Sequence, residues 1–244
     1  MTAKELYQAG KLTEAIQALN TEVRNNPTDA KRRTFLFELL AFAGEWDRAE
    51  KQVKFLQDAG QQAQLGGLLY LSAIHGERTR EDTFNKREFP LENAPAIGVT
   101  INGTKYEDVS DADPRIGPRL EMYAAGAYLW LPFKHIQAVE IQGPKRLRDL
   151  LWISALVHTG PSFKDKELGE VLLPALTVFA SKHSDENVRL GRMTDWAENT
   201  DGLVLPHGQK MLLADGEEFP FLEVRTLEFE SVQEEEQTAA AETA

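Results

Sequence analysis

The sequence predicts an α+β fold, with helical repeats over the first third and a largely antiparallel β-rich domain behind them. Three observations carry this. The stretch "AGKLTEA" beginning at Ala9 returns as "AGEWDRA" beginning at Ala43, an offset of 34 residues. Apolar residues of the same region recur at helical spacing. Further along, three dipeptides ending in glycine interrupt alternating apolar runs, the pattern of two-residue hairpin turns. Length allows this: 244 residues, 42% of them hydrophobic, can bury one large core or two modest ones, and two domains is the working expectation. A formal charge of −12 makes phosphate backbones and anionic membranes poor partners, and the lack of cysteine removes disulfides, thiolate chemistry and cysteine-ligated metals.

The first helix carries Leu6 and stops at Gly10, and the next carries Ile16, Leu19 and Val23 on one side. "NNPTD" at residues 25–29 breaks the chain, and Asp29 stands where it can cap a helix starting near Ala30. Leu36, Leu40 and Ala43 form a stripe, Gly44 interrupts it, and Trp46, Ala49, Val53 and Leu56 resume it. Leu6 matches Leu40, Ala9 matches Ala43, Gly10 matches Gly44 and Ala15 matches Ala49. This period resembles the tetratricopeptide repeat (TPR), where small residues let antiparallel helices approach and glycine permits the turn between them. "QLGGLLYLSAIHG" supplies a capping helix, so residues 1–83 read as a TPR-like domain of one and a half to two repeats plus a cap.

Residues 84–98, polar and Pro-containing, read as a linker or irregular segment, and residues 99–230 as the β-rich domain. Hairpins are expected at Asn102-Gly103, Ala125-Gly126 and Asp215-Gly216. "HIQAVEI", "LRDLLWISALV" and "GEVLLPALTVF" add strands, although "RDLLWISAL" equally suits a short helix. "QEEEQTAAAETA" has acid without base, and residues 231–244 read as a disordered acidic tail. The start lacks a signal-peptide core and no run approaches about 18 apolar residues, which suits a soluble, cytoplasmic protein.

Catalytic constellations are few. "GVTINGTK" puts Thr ahead of Lys inside a hairpin and is no phosphate loop. Asp111 and Asp113 in "DADPR" are spaced as donors to a hard cation, the basis of an alternative reading as a metal-dependent hydrolase. The same pattern also serves as a polar turn in which Asp caps backbone amides and Arg115 pairs with an acid. His75, His135, His158, His183 and His207 form no pair at helical spacing, and Ser154 and Ser162 lack a nucleophile elbow. Tyr123, Tyr128, Trp130 and Phe133 read as strand residues packing a core. Neither metal nor cofactor is implied, and the chain reads as a non-enzyme.

The blocks "DADPRIGPRLEMYAAGAYLWLPFKHI", "PKRLRDLLW", "GEVLLPAL", "RLGRMTDW" and "DGEEFPFLEVRTLEF", in this order behind a short repeat region, resemble the ImpE/TagJ (SciE-type) family. These are accessory proteins of bacterial type VI secretion systems. The resemblance covers nearly the whole chain and is most specific over residues 111–152. It implies a non-enzymatic adaptor whose partners are the small sheath subunit of the contractile tail and the ClpV-type AAA+ ATPase that recycles the sheath.

The repeat register turns Tyr7, Gln8, Thr34, Glu38, Ala41, Phe42, Leu65, Leu68, Ser72 and His75 toward one concave side. An amphipathic helix could lie there on Phe42, Leu65 and Leu68; equally, these three could pack against the β-rich domain. A secondary candidate surface combines Asp111, Asp113 and Arg115 with the basic cluster Lys145, Arg146 and Arg148. A general peptide-binding chaperone adaptor is a further alternative, for which only Lys4 and Lys31 offer a carboxylate clamp.

Overall fold

The computed structural model describes residues 1–58, 60–89, 97–163 and 168–230, so the tail and the middle of the linker, residues 90–96, lie outside the described residues. Helices α1 (Ala3–Gln8), α2 (Leu12–Asn25), α3 (Ala30–Phe42), α4 (Trp46–Gln57) and α5 (Gln61–Lys86) come first. A capping box between Thr2 and Glu5 opens α1, and the Asp29 carboxylate accepts the Arg32 amide at 3.0 Å to open α3. Gly10 and Gly44 adopt φ of 79° and 69°, which ends α1 and α3. Each also permits a close approach. A Cβ on Gly10 would lie 2.5 Å from Asn187 Oδ1, and one on Gly44 would lie 2.5 Å from Ser181 Oγ. The repeated glycines therefore turn the chain and seat the helices on a distant segment, a 3₁₀ turn at Ala180–Lys182 and the short helix at Glu186–Arg189.

The expected boundary at residue 83 falls inside α5, which continues to Lys86 and stops at Arg87 with φ 57°. Residues 77–86 contain neither Pro nor Gly, and Glu77, Arg80 and Phe84 share one buried side of the helix. Polar composition was a poor guide here because the inward charges have partners on the sheet. No helix among the described residues is long and apolar enough to cross a membrane.

The strands are β1 (Val99–Ile101), β2 (Thr104–Tyr106), β3 (Val109–Asp111), β4 (Arg119–Ala124), β5 (Ala127–Pro132), β6 (Ile136–Ile141) and β7 (Trp152–Thr159). After them come β8 (Gly169–Pro174), the short helix α6 (Glu186–Arg189), β9 (Thr194–Glu198), β10 (Val204–Gly208), β11 (Met211–Ala214), β12 (Glu217–Pro220) and β13 (Thr226–Phe229). Eight strands form one antiparallel sheet in the order β2-β1-β13-β6-β7-β8-β4-β5, and β12-β11-β3 form a second. The three expected hairpins are present. Their turns pair φ values of 50° and 86°, 48° and 86°, and 51° and 82°, the double left-handed geometry that matches strand twist. "RDLLWISAL" divides into a 3₁₀ turn at Leu147–Leu150 and strand β7 from Trp152.

Side-chain alternation gives the large sheet two apolar faces. Val139, Ile153, Val171 and Leu173 meet Leu212 and Phe221 on one of them. On the other, Tyr123, Trp152 and Leu172 share a core with Leu36, Phe37, Leu40, Phe42 and Ile74 of the helices. Phe42, 1% exposed, is thus a core residue, and its place in a partner groove is corrected. Ala41 is buried with it. Gly76 faces the Tyr123 ring so closely that a Cβ would overlap it, which brings α5 down onto β4.

Candidate functional site

Helices α1, α3, α4 and α5 and the loop 144–150 border two adjoining grooves. The first, about 520 Å3, runs between Lys4, Tyr7 and Gln8 of α1, Phe35 and Glu38 of α3, and residues 144–147 and Leu150 of the loop. The second, about 740 Å3, is floored by Phe37, Val53, Leu56, Leu69 and Tyr70, is edged by Thr34, and is closed on one side by Arg146 and Arg148. Arg146 borders both.

Between the grooves Arg148 forms a septum. Its Nη1 donates to Glu38 Oε1 at 2.8 Å, its Nε donates to the Tyr70 hydroxyl at 2.7 Å, and its guanidinium lies 4.8 Å from the Tyr70 ring centre. Burial pushes the Glu38 carboxyl upward, against the pull of Arg148. This pair ties the basic loop to the helical layer. Tyr7, Gln8, Thr34 and Glu38 therefore share one surface with Lys145, Arg146 and Arg148, although the sequence presented them as separate candidates. Leu65 and Leu68, 65% and 59% exposed, form a ridge on α5 with Leu69, beside the second groove. Their packing against the sheet, the competing expectation, does not occur. His75 is exposed on α5 and lines neither groove.

Asp111 and Asp113 belong to a different environment. Both are buried, which removes them from the secondary candidate surface. Lys210 Nζ lies 2.8 Å from Asp111 Oδ2 and also bonds Glu121. Arg80 reaches from α5 to grip Glu121 with two bonds of 2.9 Å, and the Tyr128 hydroxyl donates to the same carboxylate. Arg115 Nη2 donates to Asp113 Oδ2 at 2.6 Å, and the Asp113 and Arg115 amides donate to Asp111 and Asp113. "DADPR" is thus a turn whose carboxylates hold amides and cations. The sequence did not reveal its burial, because Lys210, Arg80 and Glu121 are remote along the chain.

Burial raises the Asp111 carboxyl to about 6 despite Lys210. Burial acts the same way on Glu121, but Arg80 and Lys210 outweigh it and hold that carboxyl at about 2. These charges join α5 to the sheets and engage the oxygens that hydrolytic chemistry would need. The rings of His183 and His207 stand 5.9 Å apart, with Asp195 Oδ2 3.2 Å from His183 Nε2. Among the described residues no group of three or more His, Cys, Asp or Glu is arranged to hold a metal ion.

The family model described as "ImpE protein" matches residues 103–228. The type VI secretion system accessory component TagJ of Pseudomonas aeruginosa is 31% identical over 268 positions, covering 94% of this chain and 92% of that protein. A crystal structure of protein VPA1032 from Vibrio parahaemolyticus superposes with a TM-score of 0.82 at 20% identity, covering 94% of this chain and 98% of that one. That likeness establishes the fold: both helices and sheet belong to one shared architecture.

Proposed function

The chain belongs to the ImpE family, and from that premise we propose that it is a non-enzymatic adaptor of a bacterial type VI secretion system. It binds a helical segment of the small sheath subunit and links that subunit to the ClpV-type AAA+ ATPase, in the cytoplasm, for sheath recycling. The observation that carries this reading is the pair of adjoining grooves with apolar floors, flanked by the exposed Leu65 and Leu68. A helix satisfies its own backbone, so such a surface needs to supply only apolar contact and matching charge. The relative's designation as an accessory component supports a role in assembly. The helical layer is read as TPR-like, supported by the 34-residue offset and by left-handed glycines at matching places in both units. Catalysis is not part of this reading. Glu38, the carboxylate lining a groove, is held by Arg148, and Asp111 and Asp113 are engaged by Lys210 and Arg115.

The test is retention of purified small sheath subunit, and separately of the ATPase, by the immobilised full chain and by Leu65→Asp/Leu68→Asp. Burying a leucine contributes roughly 1.5 to 3 kcal/mol before ordering costs, so the double variant is expected to lose at least about tenfold in sheath-subunit affinity. Its melting temperature is expected to stay within about 2 °C, because both side chains already face solvent. Unaltered affinity in the variant would refute the helical surface. Failure of the wild type to retain either protein would refute the adaptor reading.

A further inference from the structure

We infer that the smaller groove recognises an acidic amphipathic helix, one that seats an apolar side chain on the floor and aims carboxylates at a rim of three cations. This deepens the adaptor reading and rests on it. The rim is Lys4 on α1 and Lys145 and Arg146 on the loop, all exposed. Among the described residues, none of the three side chains donates to an acid or enters an ion pair, whereas Arg32, Arg48, Arg78, Arg80, Arg115 and Arg148 all do. Two acids beside the rim are bonded elsewhere. Asp149 Oδ2 accepts the backbone amides of Lys145 and Arg146, each at 2.8 Å, and Glu38 is occupied by Arg148. On a chain of net charge −12, three cations without a salt-bridge partner around one pocket, joined by Arg148 against Glu38 and Asp149, are a local reversal of sign, and that reversal selects the partner.

The floor sets the rest of the ligand's chemistry. Tyr7 and Phe35 meet edge to face at 5.9 Å, and Leu147 and Leu150 complete an apolar lining. Every lining element is a helix or a loop, so no strand edge is offered for an extended peptide to pair with. A helix fits, with its anchor between Phe35 and Leu147 and acids three or four positions to either side. A basic segment would meet repulsion from this rim, because Glu38, the carboxylate in the groove, is already paired with Arg148.

Two labelled synthetic helical peptides test this, identical on the apolar side and carrying either glutamates or lysines beside it, titrated into the full-length protein at low and at high salt. The glutamate peptide is expected to bind at least tenfold more tightly, and to weaken as salt rises. Lys145→Glu/Arg146→Glu is expected to remove that preference, and Lys4→Glu, on a separate element, to reduce it. Melting temperatures identify any variant whose loop has come apart, and Lys4→Glu keeps the test decisive in that case. Equal affinity for the two peptides, binding of neither, or a preference untouched by these reversals would overturn the proposal. Sheath-subunit retention measured alongside separates the two readings. Retention without any acidic preference leaves the adaptor standing and the groove assignment wrong; acidic preference without retention does the reverse.

Discussion

At the scale of single residues, Glu121 receives Arg80 from α5, Lys210 from the segment before β11, and the hydroxyl of Tyr128. Glu121→Gln leaves two buried cations short of their counter-charge. Breaking a buried pair from one side costs about 3–5 kcal/mol, so the melting temperature is expected to fall by roughly 10 °C in a thermal melt followed by circular dichroism. Two of the buried carboxylates, Glu121 and Asp111, respond to pH with opposite sign. Glu121, held at about 2, contributes stability that is present above its unfolded value and is lost as pH falls from about 4.5 toward 2. Asp111, raised from 3.8 to about 6, takes up its proton more readily folded than unfolded. Stability therefore rises as pH falls from about 7 toward 4 on its account. Asp111→Asn lacks this gain, so wild type minus variant is expected to grow by a few degrees between pH 7 and pH 5. Carboxylates remote from Asp111 cancel in that difference, and Glu121, held at about 2, stays ionised across this window; a flat difference would contradict the assignment.

Among elements, the turns tell most about what a sequence reveals. Gly44→Ala places a Cβ on a left-handed backbone and against Ser181, at an expected cost of about 1–3 kcal/mol. Gly66→Ala, in the interior of α5 with nothing within 4 Å, is expected to stabilise by about 0.5–1 kcal/mol. Comparative melts of the two variants check the opposite signs. The turning role of Gly44 was legible, because a repeat offset is local information; its seat against Ser181 was not. The hairpins at Asn102, Ala125 and Asp215 were legible for the same reason, since their geometry is set by two residues each. The end of α5 was misread because Arg80 is drawn inward by Glu121, a partner that periodicity does not show. Repeat register brought out Tyr7, Gln8, Thr34 and Glu38 as groove residues but misplaced Phe42, since a helix packed on two sides lacks a free face at its last turn. That Lys145 and Arg146 complete the same surface depends on the loop docking onto α3, a tertiary event.

Across the whole molecule, helices and sheet are not separable units. Phe37, Trp46 and Tyr70 surround Trp152 of β7 with ring centres 6.2, 6.5 and 6.1 Å away, and Trp152 Nε1 donates to Glu77 of α5 at 3.0 Å. A fragment of residues 1–86 would expose those rings and leave Arg80 without Glu121. It is expected to keep helical circular dichroism but to melt without a sharp transition and to bind a hydrophobic dye. A cooperative melt would show instead that the helices stand alone. The seats of Gly10 and Gly44 on Asn187 and Ser181 add to this union. Helices bolted to the sheet at these points move with it, so under the adaptor proposal traction on a bound segment would load the β-strands directly. The protein would then serve as a rigid bracket that presents the proposed ligand at a set angle.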